Sequence, residues 1–148
     1  MTKQNYRTTL KRFPLTHLCV ALIWFLCFCT PPRTSLDEVP LIDKWVHIAM
    51  YAGTTGMFWL EYWRMVHRLG NRWSRLRLVM TAVVAPILMS GVIELLQAYC
   101  TGGRRSGDWL DFLANSIGVG FGLLLGLTLV RGLANMIGKG KKEGRRDN

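Results

Sequence analysis

Residues 91–118, GVIELLQAYCTGGRRSGDWLDFLANSIG, begin and end as apolar helix but carry Glu94, Gln97, Arg104, Arg105, Asp108, Asp111 and Asn115 in between. Two apolar runs joined by a polar turn read as helices whose ionisable groups gather at one level.

The apolar runs decide the fold. Half of the 148 residues are apolar, and they collect into four runs, 13–30, 45–63, 76–99 and 112–134, each bounded by charge, Pro or Gly. Each approaches the ~20 residues that cross a bilayer as helix. A lipid-facing backbone must satisfy its own hydrogen bonds, and no segment alternates with the period of a barrel strand. The expectation is an all-α protein, a four-helix transmembrane bundle forming one domain over 13–134. A basic segment precedes it at 1–12, and a basic tail at 135–148, nearly free of apolar side chains, is expected to be disordered.

Orientation follows from the cations. Fifteen of the nineteen Lys and Arg residues precede the first run, surround the second connection, or end and follow the fourth run; only Arg33, Lys44, Arg104 and Arg105 fall on the other side. The positive-inside rule puts both termini and the middle loop of a multi-pass membrane protein in the cytoplasm. A net charge of +10 suggests nucleic acid in a soluble protein. Here the excess lies at helix ends, where it fixes topology and meets anionic headgroups, so no nucleic-acid partner is expected. The opening run 13–30 lacks a small-x-small cleavage site and reads as an uncleaved helix. Cys19, Cys27, Cys29 and Cys100 have neither zinc nor redox spacing and read as packing residues, with a Cys29–Cys100 bridge left open.

The intramembrane polar groups fall at one depth. In DKWVHIAMY, Asp43, His47 and Tyr51 recur every four residues and share a helical face. Glu94 and Gln97 lie near the outer end of the third helix, and Asp111 and Asn115 near the start of the fourth. A carboxylate in hydrocarbon costs about 2.5–3.5 kcal/mol on insertion scales, so Glu94 needs a partner or a water-filled recess. The expected arrangement is an outward-opening pocket walled by Asp43, Lys44, His47, Glu94, Gln97, Arg105, Asp111 and Asn115. A plainer reading gives Asp43 and Asp111 to helix starts, where an acid complements the dipole, and His47 to a hydrogen-bonded core. Gly118, Gly122 and Gly126 recur every fourth residue, a stripe for close helix approach with Gly53 and Gly56 as counterparts, or else a homo-oligomer seam. Pro86 is expected to kink the third helix below Glu94.

These segments resemble the VanZ-like family of small bacterial membrane proteins. The resemblance lies in DKWVHIAMY (Asp43, Lys44, His47, Tyr51), in ELLQ (Glu94, Gln97) and in GRRSGDWLDFLANSIGVGFG (Arg105, Asp111, Asn115, Gly118, Gly122), and spans about residues 15–130. It implies an inner-membrane protein of the cell envelope and a link to teicoplanin-type antibiotic susceptibility, without implying a reaction.

Three functions are compatible with the residues. In the first, the pocket recognises an anionic headgroup or lipid-linked envelope precursor. Lys44 and Arg105 meet its charge, while Asp43, Tyr51, Gln97 and Asn115 bind and orient. In the second, it is a hydrolase or transferase acting on a lipid headgroup, with His47, Glu94 and Asp111 as the catalytic candidates. No nucleophile elbow or zinc-binding helix accompanies them, and neither metal nor cofactor is expected. In the third, the cluster only locks the helices together.

Overall fold

The computed structural model describes residues 11–29, 40–102 and 107–143. Within them the chain is all-helical, without strands, in four helices: α1 (Pro14–Phe28), α2 (Ile42–Leu69), α3 (Arg75–Cys100) and α4 (Trp109–Glu143). α4 runs to Glu143, past the expected end of the fourth run at 134.

α2 and α4 form the central pair. A Cβ on Gly118 would come 2.5 Å from the Ile48 carbonyl oxygen, and one on Gly122 would come 2.6 Å from the Ala52 carbonyl oxygen; one on Gly126 would overlap the Trp59 ring. The glycine stripe therefore packs against the chain's own α2. Its counterparts are Ile48, Ala52, Thr55 and Trp59, not Gly53 and Gly56, whose surroundings are open. Spacings of three and four turn the former set to one side of α2 and the latter pair away from it.

α1 is anchored by a carboxylate. Its first turn has no cap of its own. Glu61 of α2 supplies one: Oε1 accepts from the Leu15 N–H at 2.9 Å, and Oε2 from the Thr16 N–H at 3.0 Å and the Thr16 hydroxyl at 2.7 Å. An acid on the free N–H groups of a helix start meets both the dipole and the unmade hydrogen bonds. Beside it an aromatic cluster plugs this end of the bundle, with Phe13 stacked on Phe58 at 5.4 Å and Tyr62 accepting from the Trp73 N–H.

Pro86 acts one turn earlier than the sequence suggests. It lacks an N–H and crowds the carbonyl four residues before it, and the turn ahead of it, Met80–Val84, is widened to a π-helix in which the Ala85 N–H reaches the Met80 carbonyl.

Two helical stretches, Arg75–Cys100 and Trp109–Leu129, are long and apolar enough to cross a membrane, and only 22% and 33% of their most apolar windows are buried within the molecule. A soluble core helix would hide most of that surface; here Leu88, Val92 and Leu95 on α3 and Leu113, Ile117, Phe121 and Leu124 on α4 lie outside. The other two helices do not meet the same measure. The 15 residues of α1 reach about 23 Å, short of the ~30 Å hydrocarbon core. α2 is longer but carries Asp43, Lys44, Glu61, Arg64 and Arg68.

Candidate functional site

At the end opposite the aromatic plug, the start of α2, the second half of α3 and the start of α4 meet in one polar network. Asp108 begins it, where the chain enters α4. Its Oδ1 accepts the Leu110 N–H at 2.9 Å and its main-chain oxygen accepts the Asp111 N–H at 3.0 Å, an N-cap that leaves Oδ2 free. Lys44 of α2 fills that position: its ammonium reaches Asp108 Oδ2 at 2.5 Å, Asp111 Oδ1 at 2.6 Å and Asp43 Oδ2 at 3.0 Å. The Lys44 hydrogen bond, seconded by the Leu110 N–H, holds the Asp108 carboxyl below its ordinary pKa.

One turn deeper, His47 joins α2 to α4. Its Nδ1 lies 2.9 Å from Asn115 Oδ1, while Asn115 Nδ2 donates to Ser90 Oγ of α3 at 2.8 Å. Because the amide nitrogen is used on Ser90, the oxygen faces His47, which makes Nδ1 the donor. The other ring nitrogen, Nε2, points toward Asp111 Oδ2 at 3.7 Å. Asn115 and Ser90 are almost fully buried, so this relay is sealed from solvent on the α3 side.

Glu94 closes the network from α3. Its Oε2 accepts the Asp108 N–H at 3.0 Å, and its Oε1 is buried without a hydrogen-bond partner among the described residues. Gly107 permits this contact, since a Cβ there would run into the Glu94 main-chain oxygen. A cavity of about 400 Å³ opens beside the two carboxylates, with Trp109, Phe112 and Tyr99 on its walls.

Of the residues expected to wall the pocket, Asp43, Lys44, His47, Glu94, Asp111 and Asn115 are brought together. Arg105 lies outside the described residues. Gln97 is not in the pocket. Three residues along a helix is a swing of about 60°, enough to send its amide to the Cys27 carbonyl of α1 at 2.7 Å while Glu94 faces α4. Tyr51 lies below the network in the core with Ile23, Ile93 and Val119. The sequence reading missed Asp108 and Ser90 as members. Asp108 carried a usable signal, an acid directly before a helical run; Ser90, one hydroxyl in an apolar stretch, carried none. Cys29 and Cys100 are both free thiols.

The cluster holds four carboxylates against one ammonium, so its spare capacity is for accepting hydrogen bonds. Among the described residues, no group of three or more His, Cys, Asp and Glu side chains is arranged to hold a metal ion. No protein-family model, no curated protein and no solved structure matches this chain.

Proposed function

We propose that the chain is a multi-pass protein of the bacterial cytoplasmic membrane whose acidic end recognises the polar headgroup of an outer-leaflet lipid or a lipid-linked envelope precursor. The distribution of Lys and Arg supports the orientation, with both termini and the α2–α3 connection in the cytoplasm. The observation that carries the reading is Glu94 Oε1, a buried acceptor with no partner among the described residues, beside a cavity walled by aromatic rings. An unpaired buried oxygen costs about 1–3 kcal/mol, which a ligand's hydroxyl, amide or ammonium donor would recover.

The expected role of Lys44 changes. Three carboxylates already occupy its ammonium, so it positions acids instead of gripping an anion. An anionic part of the ligand would fall to Arg104 and Arg105, which precede Asp108 in sequence. An effect on teicoplanin-type susceptibility, implied by the VanZ-like resemblance, would follow from binding of an envelope precursor.

The test is mass spectrometry of lipid co-purifying with wild type and with Glu94→Gln at matched abundance. One lipid class enriched in wild type and depleted at least about tenfold in the variant is expected, as for loss of one charge-assisted contact. Identical lipid profiles would overturn it. The placement of His47 between Asn115 Oδ1 and Asp111 Oδ2 favours catalysis on the headgroup as the second reading. His47→Ala separates the two: retained binding with lost turnover supports catalysis, and lost thermal stability alone supports a purely architectural cluster.

A further inference from the structure

The end of the bundle opposite the acidic network holds a second concave site of opposite sign. A cavity of about 290 Å³, near the ~300 Å³ lower bound of small-molecule sites, lies between the chain entering α1 and the last turns of α2. Lys11 and Arg12 line it from one side, and Arg64 and Arg68 from the other. Among the described residues, no carboxylate lies in ion-pair range of any of these four cations. Glu61 also borders the cavity, but both of its oxygens are taken by the first turn of α1. Its contribution is positional: by capping α1 it brings Lys11 and Arg12 to α2, where Arg64 and Arg68 stand one helical turn apart.

Four like charges gathered around one concavity repel each other unless an anion is shared between them. Arginine's planar fork suits phosphate oxygens. We propose that this pocket is a specific binding site for a phosphate monoanion or diester, and that its source is an anionic phospholipid headgroup. The apolar part of the wall, Pro14, Met65 and Leu69, argues for the lipid, because a headgroup carries its glycerol and upper chains with it. Diffuse positive charge at helix ends would require neither the shared cavity nor the cap. The site is independent of the acidic end, about 30 Å away along α2 at 1.5 Å per residue.

The full-length protein in detergent, titrated with phosphatidylglycerol and followed by native mass spectrometry, tests this. A first phospholipid binds wild type distinctly more tightly than later ones. R64Q/R68Q weakens that first binding by about tenfold or more, whereas R72Q/R75Q, outside the pocket, leaves it within about twofold. Thermal melting of the lipid-free variants checks folding, and K11Q/R12Q carries the same expectation should R64Q/R68Q fail to fold. Equal losses in the pocket and control pairs, or no distinct first binding event, would overturn the proposal. A competing titration with inorganic phosphate names the source: displacement at similar concentration assigns the pocket to a soluble phosphate compound, and no displacement assigns it to the lipid.

Discussion

Asp108 does two jobs that one substitution separates. Its Oδ1 caps α4 through the Leu110 N–H, and its Oδ2 receives Lys44. Asn caps a helix as well as Asp does but carries no charge, so Asp108→Asn keeps the first contact and weakens the second. With its folded-state pKa held below the ordinary 3.8 by Lys44, Asp108 contributes stability that is fully present above 3.8 and is lost as pH falls through the lower folded value. Melting of the purified protein in detergent should therefore fall with acid less steeply in Asp108→Asn than in wild type, while Asp108→Ala should cost about 1 kcal/mol more from the missing cap. Parallel acid limbs for wild type and Asp108→Asn would show that the ion pair contributes nothing. The spacing of four put Asp43 with His47 and Asp111 with Asn115 on common faces, but the same spacing carried Tyr51 one turn further, below the network and into the core. Gln97 was misplaced because shared depth does not fix direction: three residues from Glu94 it swings about 60° and reaches a different helix.

Close helix contact depends on which face of α4 a glycine occupies, and sequence spacing alone identified that face. It could not say whether α2 or another copy of the chain lay against it. That was settled by the carbonyl oxygens of Ile48 and Ala52 lying where a Cβ would have to go. Gly122→Ala should thus lower stability by about 1–3 kcal/mol through overpacking against Ala52 and Thr55. Gly120→Ala, on the open face two residues away, should be neutral or gain up to ~1 kcal/mol from helix propensity. Comparing the two melting temperatures removes the common effect of the added methyl group, and equal shifts would mean that the interface tolerates a wider separation than the structure shows. The π turn before Pro86 was harder to foresee. Proline announces a defect in the helix, but whether it appears as a bend or as a widened turn depends on the neighbours that pack against it.

Across the whole molecule, the two ends of α2 differ in chemistry. Asp43, Lys44 and His47 build the acidic network at one end, and Glu61, Arg64 and Arg68 border the cationic cavity at the other. The all-helical class and the segregation of charge were readable because hydropathy and the sign of charge are summed over many residues. Glu61 was not singled out, since nothing in its own helix indicates that its partners lie 45 and 46 residues away at the start of α1. The same polarity fixes a prediction about placement in the membrane. Cys100 is exposed at the acidic end, at the close of α3, while Arg72 is exposed in the short connection at the other end. With the cationic end in the cytoplasm, a membrane-impermeant maleimide added to intact cells should label Cys100, and Cys100→Ser should remove most of that labelling because Cys100 is the exposed thiol, while Cys27 is buried and Cys19 and Cys29 are only partly exposed. A cysteine introduced by Arg72→Cys in the Cys100→Ser background should react only after the membrane is permeabilised. Labelling with the opposite sidedness would invert the protein, bring the acidic network to the cytoplasm and exclude an outer-leaflet ligand; labelling of both positions in intact cells would remove α3 from the set of membrane-crossing helices.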